Sequence, residues 1–284
     1  MTHDWHDLLA PSALPGLFAR ALLRRGVTGK TLPSHGLRCQ ISVDPEHLTA
    51  YRQICGFADN GLLPPTYPHL LAFALQLQLL TDKRFPFPLL GLVHLENQIR
   101  VLRPLGGLGP FNVSVQVENL QAHEKGAQFS LITRLEDQLG LLWQGDSRIL
   151  CRAVHLDGPV ATREEQGELP LTTIAHWQAP SDIGRRYAKI AGDYNPIHLF
   201  GVTAKLFGFP RAIAHGLWNK GRTLAELGER LPSAGYQVQV RFHKPVLLPS
   251  SLSLLASAKA PSGQFQLRGQ DDLAHMAGSW RALV

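Results

Sequence analysis

The stretch Gly192-Asp193-Tyr194-Asn195-Pro196-Ile197-His198 puts a carboxylate, an amide and an imidazole within a few positions of one another. Glycine and proline punctuate it, so it reads as a tight loop and not a regular element. Such a loop can aim Asp193 and His198 at one spot. A carboxylate and an imidazole that share one water can activate it as a nucleophile and return a proton to carbon. Asn195 would hold the loop or orient a substrate through hydrogen bonds. The competing reading is plain: Asp and Asn are common helix N-caps, and Asn-Pro commonly starts a turn.

Downstream, Ala214-His215-Gly216 opens the longest helical pattern of this half. Leu217, Gly221, Leu224, Leu227, Gly228 and Leu231 recur at helical spacing, which predicts a helix from about Gly216 to Arg230. The backbone N–H groups of a helix start have no internal partner and carry partial positive charge. Glycine there lets a ligand carbonyl approach, which suits a developing enolate oxygen. Otherwise Gly216 is a helix-start glycine and His215 a satisfied polar core residue. After Pro232, apolar Tyr236, Val238, Val240 and Phe242 alternate with polar Gln237, Gln239 and Arg241, the pattern of a half-buried strand. Leu252, Leu254, Ala256 and Ala258 predict another strand, and Phe265 with Leu267 begins a third.

The first half of the chain echoes the second. Tyr51-Arg52-Gln53-Ile54-Cys55-Gly56 matches Tyr187-Ala188-Lys189-Ile190-Ala191-Gly192, and Arg100 to Leu105 matches Arg241 to Val246. Gln128-Phe129-Ser130-Leu131 mirrors Gln264-Phe265-Gln266-Leu267. Three ordered matches at similar offsets indicate a duplicated unit of about 130 residues. The first half supplies a helix over Pro68 to Thr81 and strands around Val93, Phe111 to Val117 and Phe129 to Leu131. One long helix followed by antiparallel strands, twice over, is an α+β pattern. In the first copy Phe57 stands where Asp193 would be and Leu70 where Gly216 would be. The segment between them is shorter in the region that carries His198. The expected organisation is an N-terminal extension over 1–40 with a short helix around Leu17 to Leu23, a degenerate non-catalytic copy over 41–152, a linker over 153–172 and a catalytic copy over 173–284.

Composition narrows the classes. The chain has 284 residues, is 44% hydrophobic and 18% charged, and carries a net charge of +6. It can bury a sizeable core, and its mild basicity lacks the Lys/Arg runs of a nucleic-acid tail. The three cysteines, Cys39, Cys55 and Cys151, form no metal-binding or disulfide spacing, which favours a reducing compartment. No secretory signal is visible at Met1 to Asp7. The apolar stretch Leu70 to Leu80 is too short to span a bilayer and reads as a core helix. A soluble, cytoplasmic protein is expected. Gly107 and Gly109 lack the third glycine and the helix of a dinucleotide-binding fingerprint.

The segment Tyr187 to Ala204 resembles the signature of the MaoC-like, or hydratase 2, proteins: an aromatic residue, Gly-Asp-x-Asn-Pro-hydrophobic-His, then five residues and a small one. Ala-His-Gly follows at that family's spacing. Ala191 departs slightly, because the family usually has Ser, Thr, Gly or Cys before the Gly-Asp. The resemblance extends over nearly the whole chain to the double hot-dog 3-hydroxyacyl-thioester dehydratases, although the specific motifs lie between residues 187 and 216. It implies a double hot-dog, two tandem helix-wrapped antiparallel sheets forming a pseudo-dimer. It implies (R)-specific hydration of trans-2-enoyl thioesters, or the reverse dehydration, in fatty acid metabolism. Asp193 and His198 would be the catalytic pair, Asn195 its support, and the Gly216 amide the oxyanion donor. No cofactor is implied.

Two other functions fit the same architecture: a non-catalytic module that binds acyl thioesters, and a hot-dog thioesterase. A metal held by Asp193, His198 and His215 is chemically conceivable, but the expectation is none. The substrate carrier is coenzyme A or acyl carrier protein. Lys205, Arg211, Lys220, Arg222, Arg241 and Lys244 are candidates to meet its phosphates or acidic face. The fused pair permits a monomer, and a homodimer is the further option.

Overall fold

The computed structural model describes residues 4–160, 167, 169–232 and 235–283. In chain order these form β1 (Asp4–Leu8), α1 (Leu14–Leu23), β2 (His35–Ile41), α2 (Pro45–Cys55), α3 (Tyr67–Leu80), β3 (Leu92–Val101), β4 (Phe111–His123), β5 (Gly126–Asp137) and β6 (Gly140–Cys151). There follow β7 (Thr172–Ala179), α4 (Ile183–Ala191), α5 (Pro196–Leu199), α6 (Gly201–Lys205), α7 (Gly216–Leu227), β8 (Tyr236–Phe242), β9 (Ser250–Ala256), β10 (Ser262–Arg268) and β11 (Ala274–Ala282). Part of the expected linker, residues 161–166 and 168, lies outside the described residues, as do residues 1–3 of the N-terminal stretch searched for a signal.

The chain divides into two compact units that are discontinuous in sequence. The first comprises Met1–Val43, Pro68–Gln98 and Leu108–Gln166; the second comprises Asp44–Tyr67, Ile99–Gly107 and Gly167–Val284. The helix α2, encoded in the first half of the chain, therefore belongs to the unit that carries the Asp193 loop.

In the first unit the strands run in the order β1-β2-β4-β5-β6-β3, with β1 parallel to β2 and the β2-β4-β5-β6 ladder antiparallel. The helix α3 is apolar nearly all round, and Leu75, Leu77, Leu79 and Leu80 are buried. Its two glutamines are placed without leaving buried polar groups unpaired, which would be costly. Gln76 Nε2 donates to Thr133 Oγ1 on β5 at 2.8 Å, and Gln78 Oε1 accepts from the Ser12 amide at 3.0 Å. Phe85, Phe87 and Phe129 form an aromatic cluster in this core, with ring centroids 5.4 to 5.9 Å apart. No described helix is long and apolar enough to cross a membrane.

In the second unit the order is β8-β11-β10-β9-β7, antiparallel throughout. The alternation expected in β8 is realised: Tyr236, Val238 and Val240 are buried, while Gln237, Gln239 and Arg241 are half-exposed. The helix α7 is buried on several sides and needs room for close neighbours. Its Gly221 supplies that room: a Cβ there would lie 3.0 Å from Cys55 Sγ and 3.1 Å from Tyr51 Oη on α2. Trp218 Nε1 on α7 donates to the Ile54 carbonyl of α2 at 2.9 Å.

The helices α2 and α4 are the structural form of the first sequence match. Asp44 caps α2 by accepting from the Glu46 amide at 2.9 Å, with Pro45 in the first turn. Both helices stop at a glycine in the left-handed region, Gly56 at φ 76° and Gly192 at φ 75°. Glycine adopts that conformation without the Cβ penalty, so the chain turns off each helix at the same point. After Gly56 the chain runs as turns to Tyr67, with none of the short helices that follow Gly192.

Candidate active site

Behind Gly192, the Asp193 side chain folds back on its own loop: Oδ1 accepts from the Asn195 amide at 3.1 Å. Asn195 then caps α5, its Oδ1 accepting from the Ile197 amide at 3.4 Å, with Pro196 in the first helical position. The stretch expected as loop throughout thus contains one helical turn, and His198 sits on it. The N-cap reading and the functional reading of Asn195 are compatible, because capping is what orients that turn.

Two contacts fix the turn. The Ile213 amide donates to the Ile197 carbonyl at 3.1 Å, and His198 Nδ1 faces the Ile213 carbonyl at 2.8 Å. A carbonyl oxygen only accepts, so Nδ1 carries the proton and the neutral ring keeps its lone pair on Nε2. Gly184 on α4 lies directly against the His198 carbonyl, so close that a Cβ there would collide with it. Ala204, the small residue of the motif, is fully buried on α6.

His215 completes the cluster. Its Nε2 donates to the Asp193 carbonyl at 3.0 Å and lies 3.8 Å from Asp193 Oδ2. Its ring stacks on that of His198, centroids 3.7 Å apart and 25° between planes. One carboxylate oxygen of Asp193 and one ring nitrogen from each histidine lie within 4.8 Å of one another. Both imidazoles are buried, whereas the Asp193 side chain is about a third exposed (34%).

Burial sets the electrostatics. It pulls the His198 imidazole below its ordinary value, and the negative charge of Asp193 opposes the shift. His215 falls to about 3, through burial first and then the neighbouring His198 ring. Both values lie below the ordinary 6.5, so both rings are neutral near pH 7. The donor types of Asp193, His198 and His215 would also suit a metal ion. One nitrogen of each ring is already engaged with a carbonyl, so each could offer only the other.

Gly216 is the first residue of α7, after His215 at the N-cap. A Cβ on Gly216 would lie 3.0 Å from the Phe242 ring, so the space beside this helix start is shaped for glycine. Sequence reasoning treated His215 as a core residue or a metal candidate. The structure stacks it on His198, a contact that no local pattern signals.

The basic candidates divide. Lys205, Arg211 and Lys244 are exposed, and Arg241 is half-exposed on β8. Arg222 is half-buried, with its guanidinium 5.3 Å from the Trp177 ring centroid. Lys220 is a correction: it is fully buried on α7, and burial drives its pKa well below the ordinary value. It cannot meet phosphates at the surface, because the side chain is enclosed in the core.

Residues 159–269 match the sequence model of the MaoC like domain. The chain is 34% identical over 249 residues to 3-hydroxyacyl-thioester dehydratase X of Mycobacterium tuberculosis, a match covering 86% of this chain and 88% of that protein. The crystal structure of HtdX from Mycobacterium tuberculosis superposes with a TM-score of 0.75 at 31% identity, over 88% of this chain and 100% of the other. A second Mycobacterium tuberculosis protein, described as having a double hot-dog fold, aligns with a TM-score of 0.54 over 92% of this chain and 96% of its own. At 11% identity that likeness speaks for the fold alone. Two α+β units, each a long helix with a largely antiparallel sheet, are the double hot-dog that the motif implied. With a third of its residues identical to a dehydratase across most of both chains, the chain belongs to the MaoC-like dehydratase family.

Proposed function

We propose that the protein is a hydro-lyase that interconverts (R)-3-hydroxyacyl thioesters and trans-2-enoyl thioesters, with Asp193 and His198 as the catalytic pair. The observation that carries this is the spacing of the cluster. Two hydrogen bonds of ordinary length meeting at one water span roughly 4.5 to 5 Å. One carboxylate oxygen of Asp193 and one ring nitrogen of His198 lie within 4.8 Å of each other, a separation that one shared water can bridge.

In the hydration direction, His198 Nε2 takes one proton from that water while Asp193 accepts a hydrogen bond from the O–H that remains. The hydroxyl adds to C3 of the enoyl group. The C2–C3 π electrons move onto the thioester oxygen, where the Gly216 N–H holds the developing negative charge. The enolate then collapses, and C2 takes the proton from His198. Asn195 keeps the turn in place, and His215 braces the pair through the Asp193 carbonyl and the ring stack. Dehydration retraces these steps, so both directions begin with a neutral His198. The reading uses no metal and no redox cofactor.

Absorbance of a crotonyl thioester at the enoyl band tests the reading. Loss of absorbance without release of thiol is the expected result. Release of free thiol would make the protein a thioesterase, and no change would leave an acyl-binding module. The acid limb offers a second check. His198 must be neutral to start the reaction, and its value in the folded protein lies below the ordinary 6.5. The acid midpoint of activity is therefore expected below 6.5; a midpoint above 6.5 would contradict the assignment.

The first copy is read as the non-catalytic one. Phe57 occupies the position that Asp193 holds in the second copy, and its ring packs on Tyr51 with centroids 6.3 Å apart. Phe57→Ala is expected to lower the melting temperature while leaving kcat within about twofold, since the residue meets no reacting atom. Loss of activity as complete as in Asp193→Asn would overturn the division of labour. Lys205, Arg211 and Arg241 are read as contacts to the carrier of the thioester. The three cysteines are all buried and unbridged, which suits a cytoplasmic enzyme.

A further inference from the structure

We propose that the exposed apolar face between residues 194 and 207 docks an acidic acyl carrier protein, which delivers the thioester; this rests on the dehydratase reading and names the carrier for it. Tyr194, Phe200, Val202, Leu206 and Phe207 are all exposed. Val202 and Leu206 stand out at 78% and 81%, and their four-residue spacing on the α6 turn puts them on one side. Scattered exposed apolar residues need no explanation, but five large ones in one short segment mark a recognition surface. The segment also carries His198, so a partner seated on it lies beside the reacting groups.

The surrounding charge is mainly basic. From Asp182 to Arg211 the chain carries Arg185, Arg186, Lys189, Lys205 and Arg211 against two acids: Asp182, which lies 3.9 Å from Arg186, and Asp193, which belongs to the site. The Arg185 guanidinium lies 5.1 Å from the Phe200 ring centroid, and its Nη1 donates to the Leu199 carbonyl at 3.0 Å. Basic charge is thus built into the edge of the apolar face. A second copy of this chain is a poor occupant, because a two-fold contact would set Lys205 and Arg211 near their own copies. Coenzyme A needs cations for its phosphates but covers little apolar surface beyond its base. An acidic carrier helix with apolar side chains satisfies both features at once.

The test compares crotonyl-acyl carrier protein with crotonyl-coenzyme A as substrates for wild type and for a Val202→Glu/Leu206→Glu double variant. The expected result is a fall of about tenfold or more in kcat/KM on the carrier-linked substrate, mainly through KM, with the coenzyme A substrate within about twofold. Lys205→Glu, which leaves the apolar side chains in place, is expected to raise KM for the carrier-linked substrate as well. Equal losses on both substrates in a natively folded double variant would overturn the proposal, as would unchanged carrier kinetics. A wild-type dimer that the double variant splits, with carrier kinetics intact, would assign the face to a second copy and overturn it too. If wild type turns over neither thioester, the dehydratase reading falls and the proposal with it; turnover of the coenzyme A substrate alongside any of the other adverse results leaves that reading standing.

Discussion

Asp193→Asn is expected to lower kcat by about 10³-fold, within the range that positioned acid–base groups contribute, while the protein keeps its melting temperature. The side chain has two jobs that this substitution separates. Its Oδ1 accepts the Asn195 amide, and the amide oxygen of asparagine can do the same, so the turn that carries His198 survives. The negative charge does not. Without it the second hydrogen of the water loses its anionic acceptor, and the protonated His198 loses its counter-charge at the moment it forms. The pH profile carries a further signature. Asp193 raises the His198 value against burial, so the residual activity of Asp193→Asn should show its acid limb at lower pH than wild type. His198→Gln should match the loss in kcat but show no such limb. Near wild-type turnover in either variant would remove the proposed chemistry from this loop.

Gly184→Ala is the second large effect, and it acts at a distance from the water. Gly184 is buried on α4, and its missing side chain is what lets the His198 carbonyl approach. An added Cβ meets backbone, not the end of a flexible side chain, so α5 must shift bodily. Overpacking of this kind costs about 1 to 3 kcal/mol and moves the neighbouring backbone. The turn bearing His198 is held on its other side by Ile213, so the displacement strains the Nδ1 contact that fixes the tautomer. The expected outcome is a lowered melting temperature together with a fall in kcat of about 10²-fold, since small misplacements of catalytic groups cost that much. A variant with wild-type kcat would show that the contact is not positional.

Much of the site could be read in the sequence because its geometry is local. Gly192, Asp193, Asn195, Pro196 and His198 are neighbours in the chain, and the glycine turn, the cap and the proline each act over a few residues. The strand β8 was legible for the same reason: one buried face and one wetter face print themselves as alternation. The unread parts depend on tertiary contacts. The strand β6 holds Gly145 and Asp146 in its middle, which look like turn residues; in the structure a Cβ on Gly145 would meet the Trp143 ring. The strand β11 hides in the same way, because Gly278 makes room for Phe265. Lys220 looked like a surface cation, yet the other faces of α7 are occupied and it is enclosed. The pairing of His198 with His215 joins residues well apart in the chain, and only the return of the chain through Ile213 brings them together.

The helix α2 ties the first half of the chain to the second unit. A tandem duplication normally leaves two copies that could be separated again, each folding on its own. Here the second unit includes a helix encoded in the first half of the chain, and the indole N–H of Trp218 on α7 donates to that helix. Cutting the chain in its middle would strip this segment away and bare the surfaces it covers on α4 and α7.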